Sequence, residues 1–328
     1  MRDLLEFFRI RLMDALSRLL QLAQVQVLID VRCLLGGGFV LPHAQLRQEA
    51  VFHHVLAGQC RLQLPGRELQ LQTGDFVLLP LGGEHALRSA LPIRSAALRM
   101  QEPVMQTELA LPLKTNVQVQ SDASVELLCG RFRYAQGAGQ LLTGWLPEVL
   151  HVNLGAVAPD SGLPVLLQWL RAEAQGASRP GAHAVIDGLG QALLALALRA
   201  APQSPLPAGL LPLLGDARLA ASMRAVLDAP GRSWTIEKLA SMAAMSRATY
   251  ARRFQALAGC GVAEFVLRLR IMQACAWLAE GQSIAGVAEA VGYGSEAAFV
   301  TAFKRVTGQT PARWRRADSQ APFVQQQV

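Results

Sequence analysis

The side chains best suited to chemistry in this chain lie in one short amphipathic segment around residue 250. Tyr250 and Phe254 are spaced i, i+4, which fixes one face of a helix to a core. We expect the opposite face, with Arg247, Arg252 and Arg253, to be free to enter a groove. Guanidinium groups donate in pairs to guanine O6 and N7, or to phosphate oxygens, so the pattern indicates nucleic-acid recognition.

This segment belongs to a helix–turn–helix pattern that the chain contains twice. Ile236 recurs as Ile284 after 48 residues, and Ser246 recurs as Ser295 after 49. One extra residue in the second turn, within 292–294, accounts for the change of offset. Both copies have the period of short amphipathic helices, so the sequence predicts two equivalent helix–turn–helix motifs.

Small residues allow these helices to cross closely, and polar residues mark where the recognition helices begin. Ala240 and Ala288 allow two helices to cross closely. Ser246 and Ser295 should each cap the helix that follows, because a serine hydroxyl accepts hydrogen bonds from free N–H groups. A connecting helix over about 262–279 would hold the two recognition helices roughly one turn of DNA apart, ~34 Å.

The second copy also carries a motif typical of a known family. The segment 283–316 resembles the DNA-binding domain of the AraC/XylS family of bacterial transcription regulators, whose motif has an A-x-x-x-G-[FY]-x-S turn, an F-x-x-x-F-[KR] helix and then G-x-x-P. The matching residues are Ala288, Gly292, Tyr293, Ser295, Phe299, Phe303, Lys304, Gly308 and Pro311. A helical bundle with a coincidental repeat is the alternative, and agreement at so many fixed spacings counts against it.

The resemblance implies which side chains of the first recognition helix meet DNA. It places base-reading positions around Arg247, Ala248, Ala251 and Arg252. Arg252 is the strongest candidate base reader, with a phosphate contact as the alternative. Arg253 is assigned to a phosphate contact or to solvent.

The second recognition helix has mainly small or apolar outward positions, so we expect it to position the protein rather than to choose the sequence. Lys304, Arg305 and Thr301 would carry this role. The complete set of candidate DNA-contacting residues is Ser246, Arg247, Ala248, Thr249, Ala251, Arg252, Arg253, Ser295, Glu296, Ala297, Val300, Thr301, Lys304 and Arg305.

The excess positive charge of the chain is concentrated in the repeat region. The formal net charge is +7. Residues 216–316 contain 14 Lys and Arg against 7 Asp and Glu, whereas the remainder has 17 of each sign. A general role in solubility would have spread the excess over the whole chain. Its concentration in the repeat region indicates a polyanionic partner, since phosphate neutralisation supplies much of protein–DNA affinity.

The first half of the chain shows short alternating strands and turn signals from about residue 25. The block 73–85 resembles the cupin domain found at the N-terminus of one AraC-type branch, because it meets the second cupin motif, G-x5-P-x-G-x2-H. The first cupin motif is only partly met, since His53 and His54 are adjacent and no Glu follows at the usual spacing. The residues of the second motif are Gly74, Pro80, Gly82 and His85.

These histidines suggest a metal site or the polar lining of an effector pocket. His53, His54 and His85 are the candidate effector-binding residues, and His53 with His85 are the candidate metal ligands. Adjacent residues on a strand point to opposite faces, so only one of the first two can look inward. His43 is a candidate third ligand, and three imidazoles suit zinc or iron. Plain structural hydrogen bonding is the remaining alternative.

The five cysteines are odd in number and form no C-x-x-C pair, which favours a reduced cytoplasm. Cys33 and Cys129 are candidate redox sensors, because some regulators of this architecture respond to oxidants through cysteine. A buried, inert thiol is the alternative. The N-terminal stretch is charged and amphipathic with no cleavage site, and the longest apolar run is too short for a bilayer, so no membrane partner is expected.

Together these features predict an α+β protein. Residues 1–201 would form a cupin-like β-barrel with flanking helices for effector sensing and dimerisation, and residues 202–215 a Pro-rich linker. Residues 216–316 would form an all-α domain with two helix–turn–helix motifs, followed by a disordered tail over 317–328.

The expected function is an AraC-type transcription regulator, not an enzyme, in the cytoplasm. Its expected partners are promoter DNA, a small-molecule or redox signal, RNA polymerase and a second copy of the chain. A cupin metal-dependent enzyme fused to a DNA-binding domain is the alternative, and the incomplete metal triad counts against it. No cofactor is expected unless the barrel holds a divalent metal.

Overall fold

The chain folds into two units in the computed structural model, which describes residues 13–46, 49–90, 102–118, 123–135, 137–157, 162–175, 179–201 and 206–320. The sheet unit comprises residues 26–133 and 146–205. The helical unit is assembled from three separate stretches of chain, within 1–25, 134–145 and 206–328. The expected α+β class is therefore confirmed, with a strand-rich and a helical part.

The sheet unit is a curled, ten-stranded half-barrel. Its strands follow the order β10-β5-β3-β9-β1-β8-β7, and β2, β4 and β6 branch from this path. The strands are β1 (Gln26–Leu35), β2 (Val40–His43), β3 (Glu49–Leu64), β4 (Arg67–Gln72), β5 (Asp75–Leu79), β6 (His85–Ser89), β7 (Val104–Gln106), β8 (Leu113–Thr115), β9 (Val125–Arg133) and β10 (Leu150–Asn153).

The long strand β3 joins the two parts of this sheet, because its two halves pair with different strands. Residues 51–54 pair antiparallel with β5, and residues 49–58 pair with β9. Residues 59–64 pair instead with β4 and β6. The register with β9 shifts between Val55 and Ala57, which is where an extra residue bends a strand. The bend turns one face of β3 into the interior of the half-barrel.

The interior of the half-barrel is apolar apart from a few thiols and imidazoles. Its core combines side chains from most of the strands, and it is buried nearly completely. The core residues are Cys33, Leu35, Phe39, Leu41, Val55, Cys60, Leu62, Leu64, Leu71, Val77, Leu79, Leu87, Val125, Leu127 and Cys129.

Ion pairs tie β1, β3 and β9 together. Arg131 donates through two nitrogens to Asp30, at 2.8 Å each, and through a third to Glu49 at 2.9 Å. Arg133 donates to the same Glu49 carboxylate at 2.7 Å. The hydrogen bonds to Asp30, with the charges of both acids, raise the pKa of Arg131 despite its burial. Such bidentate pairs hold strands in register as well as contributing energy.

Helices α3 (Leu154–Val157), α4 (Leu163–Gln175) and α5 (Ala182–Ala200) complete the sheet unit. Gly190 of α5 lies directly against β1, where an added Cβ would come within 2.6 Å of Val27 Cγ1. Arg171 of α4 donates to Glu126 of β9 at 3.3 Å. The flanking helices expected for a cupin-like domain are thus anchored by close packing and by charge.

The helical unit contains the remaining helices, and among the described residues no helix combines the length and apolar character that a bilayer span requires. These helices are α1 (Ala15–Leu22), α2 (Ala138–Thr143), α6 (Leu210–Gly215), α7 (Ala220–Asp228), α8 (Ile236–Met242), α9 (Arg247–Ala258), α10 (Val262–Ala279), α11 (Ile284–Ala290), α12 (Glu296–Thr307) and α13 (Pro311–Gln320).

Two helix–turn–helix motifs, α8–α9 and α11–α12, flank the central helix α10. The aromatic pairs expected to anchor them are all buried, with Tyr250 and Phe254 at most 1% exposed and Phe299 and Phe303 fully buried. The Tyr250 hydroxyl donates to Ser222 at 3.0 Å, so its one polar group is satisfied inside the core. The connecting helix has the bounds expected from its apolar face.

Two helices from within the first 201 residues, α1 and α2, pack with the helical unit. Leu19 is fully buried in the same apolar cluster as Trp145 and Phe265. Arg18 donates to Gln273 of α10 at 3.0 Å. Local sequence shows that these segments are amphipathic, but their partners lie more than a hundred residues away, so the choice of core depends on tertiary packing.

The expected linker 202–215 is also shorter than its composition indicates. Leu210–Gly215 form α6, with Leu210, Leu211 and Leu213 buried. Pro212 lies in the first turn of this helix, where a backbone N–H has no intrahelical partner, so it does not oppose the helix. Residues 202–205 lie outside the described residues.

The disordered tail was expected over 317–328, but α13 continues to Gln320. Residues 321–328 lie outside the described part of the chain, as do residues 1–12. Trp314, in the same helix, is 1% exposed and packs edge-on against Phe303. Burial of this indole anchors α13 to the helical core.

Gly292 provides a test of the turn in the second motif. Its φ of +84° is in the left-handed region, and an added Cβ would lie 2.0 Å from the Gly231 carbonyl oxygen. We expect Gly292→Ala to lower the free energy of unfolding by about 1–3 kcal/mol from backbone conformation alone, with the clash adding to this. Urea denaturation of the full chain measures it.

Gly294→Ala is the matched control, because nothing lies within 4 Å of a Cβ at that position of the same turn. Equal stability of the two variants would contradict the close approach of the Gly231 backbone.

Candidate DNA interface and histidine cluster

The first recognition helix, α9, presents an exposed edge that begins at its N-terminus. Ser246 is the N-cap and its Oγ accepts a hydrogen bond from the Thr249 N–H, at 3.2 Å. The same hydroxyl donates to Thr249 Oγ1 at 2.9 Å. Arg247 and Ala248 are exposed and Ala251 is half-buried. The cap is therefore confirmed, and it leaves the first turn of the helix open to a ligand.

Two arginines of α9 are accessible for an anionic partner. Arg252 is exposed and makes no hydrogen bond or ion pair within the described part of the chain. Arg247 lies 3.1 Å from Glu237 of α8, but the two side chains are 71% and 59% exposed. A pair so well solvated is worth little, so it does not prevent Arg247 from binding elsewhere.

Arg253 is not free for DNA in the way the sequence pattern suggested. Its Nε donates to Asp216 at 2.9 Å, and its Nη2 makes a second, shorter contact with the same carboxylate oxygen. The Asp216 side chain is only 7% exposed. Residue 253 follows Tyr250 by three positions, which places it at the flank of the buried face rather than opposite it. Its structural role is to hold α9 to the chain preceding α7.

The second recognition helix, α12, has the charge distribution of a well-capped helix. Ser295 is the N-cap and accepts from the Ala298 N–H at 3.3 Å. Glu296 lies in the first turn, and Lys304 and Arg305 lie in the last, an order that complements the helix dipole. Both basic side chains are exposed.

The outward middle of α12 offers few free polar groups. Ala297 is exposed and Val300 is half-buried, and neither has a side-chain donor. The Thr301 hydroxyl already donates to the Ala297 carbonyl at 3.0 Å. This surface therefore offers a ligand methyl groups rather than side-chain hydrogen-bond donors.

In the sheet unit, three histidines from three strands come together. His43 of β2, His53 of β3 and His85 of β6 have ligand nitrogens that all lie within 4.8 Å of one another. His53 Nε2 is 2.8 Å from His85 Nε2, and the rings of His43 and His85 are stacked with centroids 4.6 Å apart. His53 is fully buried and His85 is 4% exposed.

The surroundings keep these three imidazoles neutral. Burial, with the charges of His85 and Lys114, lowers the pKa of His43 to about 4. Burial and the other two histidines lower the pKa of His53 well below its usual value. The pKa of His85 is also lowered by burial, although its hydrogen bond to the Gly83 carbonyl opposes the shift. Neutral imidazole is the form that binds a metal.

His54 does not join the cluster. Its Nδ1 lies 3.1 Å from the Asp75 carbonyl oxygen, and its ring packs near Phe76. Burial lowers its pKa to about 4. It lies on the other face of β3 from His53, as the alternation of a strand requires. His54 is thus buried outside the cluster, on the face of β3 opposite to that of His53.

The two candidate redox cysteines are close together but deeply buried. Cys33 is within hydrogen-bonding reach of Cys129, and Cys60 is near enough to affect it electrostatically. The hydrogen bond to Cys33 and burial raise the pKa of Cys129 well above its usual value, and burial raises that of Cys60 to about 12. Thiolate is the reactive form, so this environment disfavours direct attack by an oxidant.

Comparison with known proteins finds a match for each of the two parts, the half-barrel and the helix–turn–helix motifs. A cupin family model matches residues 14–202, which is more than half of the chain, and a helix-turn-helix domain model matches residues 239–317. The second match covers both recognition helices, and the first covers the half-barrel. The chain belongs to the AraC/XylS family of transcription regulators. It carries the cupin-like domain and the helix-turn-helix DNA-binding domain of that family.

Relatives match this AraC-type regulator along nearly their whole length. An uncharacterised HTH-type transcriptional regulator of Haemophilus influenzae is 33% identical over 310 residues, covering 94% of this chain and 100% of that protein. The RCS-specific HTH-type transcriptional activator RclR of Escherichia coli is 31% identical, covering 92% of this chain and 97% of RclR. MtrA of Neisseria gonorrhoeae, an HTH-type transcriptional regulator, is 31% identical over 94% of this chain and 100% of MtrA. These are regulators, in agreement with a non-enzymatic, DNA-binding role.

Two residues of these sites carry no local sequence signal. Asp216 has nothing in its local pattern that links it to Arg253. Cys60 lies in the same core as Cys33 and Cys129 without sharing a motif with either. Both depend on contacts between distant strands or helices, which a local period does not reveal.

The Asp216–Arg253 pair predicts a pH-dependent part of the stability. Burial raises the pKa of Asp216, but the Arg253 hydrogen bonds and the Leu219 and Arg218 N–H groups outweigh it and lower the pKa overall. The contribution is therefore present above the unfolded-state pKa of about 4 and is lost as the pH falls through the lower folded-state value. At pH 7 we expect Asp216→Asn to lower the free energy of unfolding by about 0.5–1 kcal/mol, a small value because Arg253 is partly solvated.

Asp216→Ala should cost about 1 kcal/mol more than the asparagine variant, because it also removes the acceptor for those two N–H groups. Urea denaturation at pH 7 and near pH 3 measures both variants. An asparagine variant with wild-type stability at pH 7 would show that the ion pair contributes nothing.

Proposed function

We propose that this AraC-type regulator binds promoter DNA with α9 and α12 in two successive turns of the major groove, under the control of a signal received by the sheet unit. The observation that carries the proposal is the arrangement of both helices. Each is N-capped by serine and anchored by two buried aromatic rings, so its other side is exposed. The central helix α10 gives the two motifs a common core.

The two helices have different roles in DNA binding. On α9, exposed Arg247 and Arg252 supply donors for base edges. On α12, exposed Lys304 and Arg305 follow a surface of small side chains, which favours contact with phosphates. Sequence choice then comes mainly from the first motif, and affinity from both.

The effector is proposed to act through the chain crossings between the units. The chain enters the sheet unit at Gln26 and leaves it after Arg133, and these two residues are cross-strand partners on β1 and β9. This strand pair is therefore covalently connected to both α1 and α2, so a ligand that alters it acts on the two segments that lead to those helices. Such a ligand shifts the population toward the conformation that it binds better.

Redox control is the second candidate, favoured by the proximity of Cys33 to Cys129. Their burial and the raised pKa of Cys129 require an opening of the core before oxidation, which counts against a fast response. A small-molecule signal is therefore preferred.

The proposal includes RNA polymerase and a second copy of the chain as partners, and the cytoplasm as the place where promoter DNA is met. Val165 and Trp169 of α4 are 51% and 60% exposed, which leaves apolar surface for self-association. Sedimentation of the purified chain measures that association independently of DNA.

Selection of bound sequences from a random DNA pool, with the full chain, tests the central proposal. The full chain is required because α1, α2 and α6 contribute to the core of the helical unit. Enrichment of an asymmetric site spanning about two helical turns is the expected outcome. Absence of enrichment, with and without cell extract as a source of effector, would overturn sequence-specific binding.

Arg252→Ala should reduce discrimination at one base pair of that site by about 1–3 kcal/mol. The reason is that its guanidinium is exposed and unpaired within the described chain, so it can donate in pairs to guanine. Binding to the selected site and to its single-base variants measures the effect. The same loss on all sequences would make Arg252 a phosphate contact.

Lys304→Ala should weaken binding evenly on all sequences and reduce the salt slope by about 1, because one released counterion is lost. Titrations at several salt concentrations measure the slope. Arg67→Ala, which removes an exposed cation of the sheet unit, is the control and should leave the slope unchanged. An unchanged slope for Lys304→Ala would exclude its phosphate contact.

A further inference from the structure

We infer that His43, His53 and His85 form a binding site for a zinc-type divalent cation inside the sheet unit. The inference goes beyond the proposed function, because it concerns a site in the half-barrel and holds whether or not the chain binds DNA. It rests on three features: convergence of the imidazoles, the hydrogen bonds that orient them, and a buried nitrogen with no partner.

Strand pairing brings the three side chains together. His43 and His85 are direct register partners in the antiparallel pair β2–β6. The second half of β3 pairs with β6, and its first half carries His53. The ligands therefore come from three separate strands of a packed sheet, which gives the site a rigid frame.

The nitrogens that face one another are the Nε2 atoms of His53 and His85, at 2.8 Å. Their Nδ1 atoms are engaged elsewhere. Nδ1 of His85 is 2.7 Å from the Gly83 carbonyl oxygen, and Nδ1 of His53 is 3.0 Å from Cys129 Sγ. Metal-binding histidines characteristically use the second ring nitrogen in this way, which fixes the tautomer and the ring orientation.

The third imidazole supplies an acceptor that nothing in the described chain satisfies. His43 Nε2 is buried and has no hydrogen-bond partner among the described residues. A single proton can link His53 to His85, but it leaves His43 unpaired beside them. A buried polar atom without a partner is costly, and an ion bound by all three nitrogens removes that cost.

Zinc fits the chemistry and the dimensions of the cluster. Three neutral imidazoles form a typical zinc ligand set, with Zn–N distances of about 2.0–2.1 Å and an open fourth position. Such distances place the nitrogens roughly 3.3 Å apart in tetrahedral geometry. The 2.8 Å separation of His53 and His85 would have to open slightly, and half-buried His43 would close in. A metal without redox chemistry is also compatible with the nearby thiols Cys33 and Cys129.

One nearby charge opposes the cation and so provides a test. Lys114 of β8 acts electrostatically on His43. An ammonium that disfavours positive charge on this ring also disfavours a dication bound to it. Removal of the ammonium should therefore strengthen binding, and a gain of affinity cannot result from misfolding.

The experiment uses the purified full chain, stripped of metal by a chelator and titrated with Zn²⁺ against a chromophoric chelator. Co²⁺ is added in parallel as a spectroscopic probe of tetrahedral coordination. We expect one ion per chain and a tetrahedral Co²⁺ spectrum. His43→Gln and His85→Gln should each weaken Zn²⁺ binding by at least about 100-fold, since loss of an outer partner alone costs about 10–100-fold.

His183→Gln is the matched control, because His183 is an exposed histidine of α5 outside the cluster, and it should bind Zn²⁺ like the wild type. Lys114→Ala should bind a few-fold more tightly. A chain that takes up no Zn²⁺, or whose uptake is unchanged in His43→Gln and His85→Gln, would overturn the site. The three imidazoles would then be a hydrogen-bonded structural cluster. Since no DNA is present, this result is independent of the proposed DNA binding.

Discussion

The structure of the helical unit depends on burying one aromatic face of each recognition helix. Tyr250 and Phe254 hold α9, and Phe299 and Phe303 hold α12, in one apolar cluster around α10. With these faces fixed, the remaining sides of the two helices are exposed, and their position relative to each other is set by a shared core. The serine caps and the Asp216–Arg253 pair then hold the N-terminal turn of α9 and its flank. The exposure of the proposed DNA-binding side chains therefore depends on this packing.

In the sheet unit the corresponding constraint is the removal of polar groups from water. Burial keeps three imidazoles neutral, and the hydrogen bond to Cys33 together with burial raises the pKa of the neighbouring Cys129. The same low-polarity interior makes the thiols poor nucleophiles and makes an unpaired imidazole nitrogen costly. A half-barrel that contains such groups is better suited to binding a ligand or an ion than to reacting with an oxidant.

The two units are linked by more than one passage of the chain. The helical unit takes α1 from before the first strand and α2 from between β9 and β10, and the rest follows residue 205. The strands β1 and β9 are consequently joined to the helical unit by the chain at two points, β1 to α1 and β9 to α2. The signal proposed for the sheet unit would therefore follow the chain itself, through strands held in register by Arg131.

The sequence alone determined the features that follow from local period and local chemistry. The repeated motif, the serine caps, the buried aromatic pairs, the connecting helix and the alternation of His53 and His54 all depend on residues within a few positions of one another. Only the tertiary structure decided that His43 joins His53 and His85, that Arg253 pairs with Asp216, and that α1, α2 and α6 belong to the helical core. These contacts join residues far apart in the chain, and their selection depends on which apolar faces pack together. No local pattern specifies that choice, because an amphipathic segment shows that it has a buried face without showing what covers it.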